Sequence, residues 1–173
     1  MSVFFIAGVH GVGKTTACVE VAKTLNFGHY AASTIIREAK APAVSEKTKI
    51  VADLTANQNL LIAGVSRLVK GGQRLFLDGH FTLTTSVGIE PIPVKFFKCL
   101  KIRGIVLYYD APEKIAARLA KRDSFSPTVE VVRSHQCQEI DHAKTVSNSL
   151  SVPLVLLKAF DSKGLELIVR EWL

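Results

Sequence analysis

A glycine-rich turn that directly follows a short apolar run constrains this chain more than any other feature. Residues 3–7, Val-Phe-Phe-Ile-Ala, are a β-branched and aromatic run that predicts a buried strand. The next residues are Gly8-Val9-His10-Gly11-Val12-Gly13-Lys14-Thr15, which have the spacing G-x-x-x-x-G-K followed by Ser or Thr. Such glycines let the backbone curl so that consecutive N–H groups point into one nest, which opens onto the positive end of a helix. The pattern therefore predicts a cradle for phosphate groups.

Two side chains of this turn and one distant carboxylate predict a nucleotide and a magnesium ion at the cradle. Lys14 adds a full positive charge for the β- and γ-phosphates, and the Thr15 hydroxyl is placed to bind Mg²⁺. Asp78 follows the predicted strand 74–77. Because ligands in open α/β sheets sit at the carboxyl ends of strands, we expect Asp78 to orient the same ion. The expected cofactors are ATP and Mg²⁺, with the nucleotide held by Gly8, Gly11, Val12, Gly13, Lys14, Thr15, Thr16 and Arg118.

Apolar runs alternate with helix-compatible stretches along the whole chain. The predicted strands are residues 3–7, 29–32, 74–77, 104–109 and 154–157. The predicted helices are residues 14–25, 33–40, 46–70, 112–122 and 129–150, with a short one from Gly164. Residues 88–93 are expected to be irregular, because Pro91 and Pro93 break regular elements. Apolar strands between helices predict one three-layer α/β domain over residues 1–173, a P-loop fold with a five-stranded parallel sheet covered by helices on both faces.

Composition and charge exclude several other classes of protein. Of the 173 residues, 48% are hydrophobic, which is too many for a disordered chain. The apolar stretches fall well short of the ~20 residues that span a bilayer, and the N-terminus lacks the basic region of a signal peptide. Three cysteines without C-x-x-C spacing argue against a disulfide framework or a zinc site, so we expect reduced thiols in a cytoplasmic protein. The formal charge of +7 suits a polyanionic partner. Charge alone does not tell whether that partner is a nucleotide or a nucleic acid.

Several further segments have the residues and spacing of one enzyme family. They are Asn26-Phe27-Gly28, residues 29–37, Leu77-Asp78-Gly79-His80, the loop with Thr84-Thr85, Gly88, Pro91 and Pro93, and His135-Gln136. With the phosphate loop, they make the chain resemble the adenylate kinase family, and its archaeal-type branch in particular. The resemblance implies a kinase that moves the γ-phosphate of ATP to a nucleoside monophosphate, by default AMP. It also implies that Arg37 holds the phosphate of the acceptor and Gln58 reaches its base, within an acceptor-binding segment 33–70.

Arginines beside a short loop are candidates for stabilising the transferred group. Phosphoryl transfer spreads negative charge over the moving group, so the protein has to supply cations. In the family that the chain resembles, the helix 112–122 and the loop after it form a lid, which here spans residues 118–133. Arg122 stands directly before the loop and Arg133 after it, with Arg118 one helical turn earlier. The residues expected to act in catalysis are Lys14, Arg122, Arg133 and Asp78.

Two positions of the chain depart from that family, and one residue of the phosphate loop has no assigned chemistry. Bacterial-type adenylate kinases carry Pro-Arg soon after the Asp-Gly, where this chain has Phe81 and Thr82, so a second phosphate-holding arginine is not available there. The long or zinc-bearing lid of many members is replaced by a short loop at residues 123–128. His10 occupies a variable position of the phosphate loop and is expected to face solvent rather than to catalyse.

Three functions are compatible with these observations. The first, which we predict, is a nucleoside monophosphate kinase. The second keeps the ATP site but transfers to a hydroxyl of a small metabolite or a polynucleotide, with Asp78 as general base. The third is an ATP-operated interaction protein in which slow hydrolysis switches a surface for RNA or a protein partner. A nucleic-acid partner is not favoured, and the sequence leaves the oligomeric state open.

Overall fold

The computed structural model of the protein describes residues 2–40, 53–122 and 127–173. The strands in this part of the chain are β1 Val3–Ala7, β2 Gly28–Ala31, β3 Leu75–Asp78, β4 Thr82–Thr85, β5 Gly88–Pro91, β6 Ile102–Tyr109 and β7 Leu154–Lys158. The helices are α1 Lys14–Leu25, α2 Ala32–Lys40, α3 Asp53–Lys70, α4 Val94–Cys99, α5 Pro112–Arg122, α6 Val129–Leu150 and α7 Ser162–Glu171.

Five of the strands form one parallel sheet in the order β2-β3-β1-β6-β7. Side chains of β1 alternate between two hydrophobic cores: Phe5 joins the core packed by α2, α3, α4 and α6, and Phe4 joins the core packed mainly by α1, α5 and α7. Helices therefore cover both faces of the sheet. This arrangement confirms the predicted three-layer α/β P-loop fold.

The structure differs from the prediction mainly between residues 82 and 99. Residues 88–93 are not irregular throughout, because β4 and β5 pair as an antiparallel hairpin outside the main sheet. Pro91 is tolerated as the last residue of an edge strand, and Gly88 adopts the positive φ of 130° that the turn requires. The short helix α4 was not predicted. Its two phenylalanines, Phe96 and Phe97, are buried in the core.

Parts of two predicted segments lie outside the described residues. The predicted helix 46–70 is described from Asp53 onward, and residues 123–126 of the predicted lid are also outside. The division into an acceptor-binding segment and a lid stays a prediction. In the described ranges, no helix combines the length and the apolar character needed to cross a membrane.

The register of the two central strands brings the predicted functional residues together. Ile6 of β1 pairs with Asp78 of β3 in parallel register, and the Gly79 N–H donates to the Ile6 carbonyl at 3.0 Å. The phosphate loop leaves β1 at the same edge of the sheet. Asp78 and the loop are therefore held side by side by sheet hydrogen bonds rather than by their own contacts alone.

Candidate nucleotide and acceptor site

The phosphate loop adopts a backbone that only glycine accommodates well. Gly8, Gly11 and Gly13 have φ values of 139°, 75° and 100°. A Cβ on Gly8 would lie 2.6 Å from the carbonyl oxygen of Tyr108. Gly13 is the N-cap of α1, where no side chain caps the first helical turn. The loop therefore directs main-chain N–H groups and the positive helix end toward one place, which is the arrangement that binds an anion.

Lys14, Thr15 and Asp78 meet beneath this loop. The Thr15 hydroxyl donates to Asp78 Oδ2 at 2.7 Å, and Lys14 Nζ lies 3.5 Å from Asp78 Oδ1. Lys14 and Asp78 are each only 7% exposed. Burial alone would raise the pKa of Asp78, but His29, Lys14 and Thr15 together lower it below its usual value. Asp78 is thus a buried anion whose oxygens face the lysine and the hydroxyl of the phosphate loop.

The oxygen atoms of this cluster fit a magnesium ion. A hydroxyl and an ionised carboxylate are ligand types that Mg²⁺ prefers, and here they are already in direct contact at 2.7 Å. With an ion bound, the Thr15 hydroxyl would no longer donate to Asp78 but would direct a lone pair at the ion. Thr15 and Asp78 could therefore hold Mg²⁺ together with the phosphates of a nucleotide.

A pocket of about 290 Å³ opens on the outer side of the loop. The lining combines main chain, cations and one aromatic ring, and it consists of His10, Gly11, Gly13, Lys14, Thr15, Thr16, Arg118, Arg122 and Phe160. Phe160 has a positive φ of 64°, and its ring lies 5.1 Å from the guanidinium carbon of Arg118. We call this the nucleotide pocket. Its positive charge suits a chain of phosphates, and Phe160 supplies an apolar surface for a ring.

Arg118 connects the nucleotide pocket to the rest of the fold. Its guanidinium donates to the carbonyl oxygens of Gly11 and Val12, both at 2.9 Å, and forms an ion pair with Asp110. The Gln136 side chain in turn forms two hydrogen bonds with the main chain of Asp110: it accepts from the N–H at 3.1 Å and donates to the carbonyl at 3.0 Å. Arg118 therefore fixes the shape of the phosphate loop as well as lining the pocket.

A second, larger pocket of about 440 Å³ lies on the other side of Lys14. Its wall is mainly apolar, formed by Phe5, Ala31, Ala32, Ile36, Leu61, Leu83, Ile92 and Phe96. The polar and charged lining residues are His10, Lys14, Thr15, Ser33, Asn57, Gln58, Asp78 and His80. We call this the acceptor pocket. It shares His10, Lys14 and Thr15 with the nucleotide pocket, so the two cavities meet at the phosphate loop.

A fully buried carboxylate organises the backbone after Asp78. Glu139 of α6 is 0% exposed and accepts hydrogen bonds from Phe81 N at 2.8 Å, Thr82 N at 2.9 Å and Thr82 Oγ1 at 2.6 Å. Burial raises the pKa of Glu139, and these hydrogen bonds limit the rise. His135 Nε2 lies 3.0 Å from the same threonine hydroxyl. The N–H of residue 81 is used here, which is why a proline does not fit at this position of the chain.

His80 projects from this anchored segment into the acceptor pocket. Its side chain is 18% exposed, and Nδ1 lies 3.8 Å from Glu139 Oε1. The rings of His80 and His10 are 4.3 Å apart between centroids. Burial lowers the pKa of His80 well below its usual value, and the positive charge of Lys14 lowers it further. His80 is therefore neutral around pH 7.

The structure brings most of the predicted site residues to the two pockets. Gly8 and Val12 belong to the phosphate loop without lining a pocket, and the two arginines Arg37 and Arg133 lie outside. Arg118 and Arg122 line the nucleotide pocket, and Gln58 lines the acceptor pocket. Arg37 is exposed on α2 and lines neither pocket. Arg133 is 51% exposed, and its guanidinium pairs with Glu113 at 3.0 Å and with Glu130 at 3.6 Å.

The sequence analysis assigned no role to several residues of the site. Phe160, Asn57, His80 and Glu139 belong to it. His10 lies where the two pockets meet; it is exposed, and its ring also contacts the ring of His80. His80 had a local signal, because it stands two residues after Asp78. Glu139 and Phe160 had none, since each reaches the site from a distant element.

Comparisons with known proteins agree with this architecture. An AAA domain family model matches residues 7–131. A sugar kinase from Janibacter sp. HTCC2649 is similar over 99% of this chain and 94% of its own, with 16% identity and a TM-score of 0.59. A gluconokinase from Sinorhizobium meliloti 1021 is similar over 99% of this chain and 89% of its own, with 13% identity and a TM-score of 0.54.

A third structure, of an uncharacterized protein from Eubacterium ventriosum ATCC 27560, is similar over 99% of this chain and 97% of its own, with 8% identity and a TM-score of 0.53. No curated protein matches the chain. At these identities the three structures establish the fold alone, which is the α/β P-loop NTPase fold. Because the family model covers well over half of its residues, the chain belongs to the AAA domain family.

Proposed function

We propose that this protein is an ATP-dependent phosphotransferase that acts on a small-molecule acceptor. The observation that carries the proposal is the meeting of two pockets at Lys14 and Thr15. One pocket is lined by the phosphate loop and arginines, and the other is a mainly apolar chamber of about 440 Å³. A protein that only hydrolyses ATP has no need for the second chamber, whereas a kinase needs its acceptor beside the γ-phosphate.

The residues at the junction have the properties that phosphoryl transfer requires. The loop amides and Lys14 hold the β- and γ-phosphates, and Arg122 adds positive charge on the outer side. Thr15 and Asp78 hold Mg²⁺, which when bound neutralises charge on the phosphates. Asp78 stays ionised because its pKa is lowered. These groups stabilise the moving phosphoryl group without forming a covalent intermediate.

Two kinds of acceptor fit the proposal to different degrees. AMP, expected from the resemblance to adenylate kinases, is supported by Gln58 in the wall of the acceptor pocket. Against it stands Arg37, which is exposed and lines neither pocket. Apolar walls favour an acceptor with little charge. The sugar kinase and the gluconokinase among the similar structures act, by their names, on acceptors that carry hydroxyl groups.

A transfer assay tests the proposal directly. Purified protein with Mg²⁺ and γ-labelled ATP is incubated with AMP, D-glucose, D-gluconate, glycerol, thymidine or a 5′-hydroxyl oligonucleotide, and label in the acceptor is measured. We expect ATP to bind and one small acceptor to receive label. Binding of ATP with release of inorganic phosphate alone, and no label in any acceptor, contradicts the proposal.

A further inference from the structure

A third cavity adjoins the acceptor pocket and is not used by the proposed chemistry. It has a volume of about 330 Å³ and lies between the beginning of α3, the hairpin and the beginning of α4. Its lining residues are Thr55, Gln58, Leu83, Glu90, Pro91, Ile92, Pro93 and Lys95. We call this the outer cavity. Gln58, Leu83 and Ile92 also line the acceptor pocket, so the two cavities adjoin along a shared wall.

The shared wall has one fixed part and one adjustable part. Ile92 is 9% exposed and is held by its main chain: its N–H donates to the Phe81 carbonyl at 2.8 Å, and its carbonyl lies 2.6 Å from His142 Nε2. Gln58 and Leu83 are only half-buried, and side chains that packing does not fix change rotamer rapidly. The adjustable part of the wall therefore lies between α3 and β4, at Gln58 and Leu83.

Resting on the proposed function, we propose that the outer cavity is the distal half of the acceptor site and that the acceptor is an elongated molecule with three parts. A hydroxyl at one end reaches Lys14 and Thr15, where the acceptor pocket meets the nucleotide pocket. An uncharged, apolar body fills the acceptor pocket. A polar group at the other end passes between Gln58 and Leu83 into the outer cavity.

The lining changes in character along this path. The acceptor pocket is walled mainly by apolar side chains, whereas the outer cavity has the Thr55 hydroxyl and the exposed charged side chains of Glu90 and Lys95. A hydroxyl donates and accepts hydrogen bonds, a carboxylate accepts them and an ammonium group donates them. The outer cavity therefore suits an end group that both donates and accepts. A polyanionic tail such as an oligonucleotide is disfavoured, because Glu90 repels it.

The size of the acceptor pocket also favours an extended acceptor. Pockets for small molecules commonly measure about 300–1,000 Å³, and the acceptor pocket alone, at about 440 Å³, reaches this range. A polyol as small as glycerol leaves most of such a chamber to water. An elongated body removes more of the apolar wall from water, and this burial supplies affinity that a short polyol lacks.

The transfer step at the reacting end balances without a further reactant. The acceptor hydroxyl oxygen forms a bond to the γ-phosphorus while the bond from that phosphorus to the β–γ bridging oxygen breaks. The electron pair of the broken bond leaves with ADP, and the hydroxyl proton is released to water. The polar end in the outer cavity takes no part in this step and contributes to binding alone.

A series of simple probes tests the path without knowledge of the natural acceptor. Butanediol and octanediol, each with a hydroxyl at both ends, are added to isotope-labelled protein with Mg²⁺ and a non-hydrolysable ATP analogue. We expect both to shift the amide NMR signal of Ser33 in the acceptor pocket. Only octanediol is expected to shift those of Thr55 and Lys95 as well. Lys98, which is exposed on α4 and lines neither cavity, serves as the control.

Three results of this titration overturn the inference. The first is that octanediol leaves Thr55 and Lys95 unshifted. The second is that butanediol shifts these two signals as much as octanediol does, because the outer cavity then binds a short molecule by itself. The third is an equal shift at Lys98, which indicates non-specific binding.

A matched pair of tryptophan variants tests the path in catalysis. Thr55 and Ala56 are adjacent exposed residues of α3, and only Thr55 lines the outer cavity. For the acceptor that takes up label, we expect Thr55→Trp to raise KM by at least about tenfold, the value of one or two lost hydrogen bonds. We expect kcat and ATP affinity to change little, because the reacting end stays in place. Ala56→Trp is expected to keep the wild-type KM.

The outcomes of the transfer experiment separate this inference from the proposed function. Equal KM values in Thr55→Trp and Ala56→Trp overturn the inference while the kinase function stands. Preferred transfer to AMP, glycerol or the oligonucleotide does the same. Failure of ATP to bind, or release of inorganic phosphate alone, instead removes the proposed function, and the octanediol titration still reports on the path by itself.

Discussion

The two pockets are lined by different kinds of groups. The nucleotide pocket consists largely of main chain and cations supplied by one continuous loop and by α5. The acceptor pocket is a chamber of side chains mainly from β1, α2, α3, β3, α4 and the hairpin, and most of its surface is apolar. The first is defined by backbone conformation, and the second by how distant elements pack. The phosphate loop at the centre of the nucleotide pocket is therefore set by local sequence, whereas the acceptor pocket depends on the assembled fold.

The largest effect should come from the cation that both pockets share. Lys14→Ala removes the buried ammonium group that faces Asp78 at 3.5 Å. We expect kcat to fall by about 10²–10³-fold, because the charge that stabilises the moving phosphoryl group is lost. Steady-state transfer of label from ATP measures it. Lys98→Ala, at an exposed position of α4, serves as the control, and equal activity of the two variants would contradict the role of Lys14.

Two glycine variants distinguish the cost of a strained backbone conformation from the cost of a steric clash with the added Cβ. Gly8 and Gly72 both have a positive φ, of 139° and 84°. A Cβ at Gly8 meets the Tyr108 carbonyl at 2.6 Å, whereas one at Gly72 meets nothing within 4 Å. We expect Gly8→Ala to lower the free energy of unfolding by about 1–3 kcal/mol more than Gly72→Ala, and only Gly8→Ala to weaken ATP binding. Urea unfolding and nucleotide titration measure the two effects, and equal losses of stability would refute the packing argument.

This contrast explains which parts of the molecule could be predicted from sequence. The strand 3–7 and the phosphate loop follow from short sequence patterns. Asp78 is 63 residues from Thr15 in sequence, and its approach could be predicted only because ligands in parallel sheets sit at the carboxyl ends of the strands. The positions of Glu139 and Phe160 could not be predicted in this way. Glu139 lies 57 residues from Thr82, which it binds, and its burial depends on the packing of α6 against the site. The β4–β5 hairpin was not predicted either. Proline usually interrupts a strand, but an edge strand tolerates it.

A smaller effect distinguishes the two acceptor hypotheses. Gln58→Ala removes an amide from the acceptor pocket, and Arg37→Ala removes an exposed guanidinium outside it. For an uncharged acceptor, we expect Gln58→Ala to raise the acceptor KM by up to about tenfold, the value of one hydrogen bond, and Arg37→Ala to leave it unchanged. Initial rates against acceptor concentration measure both. A large rise in KM for AMP in Arg37→Ala would instead support a nucleoside monophosphate as the acceptor.

The smallest expected effect is on the pH dependence of stability, which differs between the histidines beside the acceptor pocket and Asp78 under the phosphate loop. His80 and His135 beside the acceptor pocket have pKa values lowered mainly by burial from the usual 6.5, so the folded state binds fewer protons than the unfolded chain. Their contribution to stability is therefore present above about pH 6.5 and is lost as the pH falls below it. Asp78, under the phosphate loop, has a pKa lowered from 3.8, and its contribution is lost only in stronger acid.

A comparison of the wild type with His135→Gln tests the contribution of this histidine. Glu139, which both proteins contain, acts in the opposite direction as the pH falls, because its raised pKa lets the folded state take up a proton more readily than the unfolded chain. Between about pH 7.5 and about pH 5.5 we expect the free energy of unfolding of the wild type to fall more, or to rise less, than that of His135→Gln. Urea denaturation at each pH measures the two slopes. Because glutamine does not titrate, identical slopes would show that the histidine beside Thr82 contributes nothing to the pH dependence of the acceptor side.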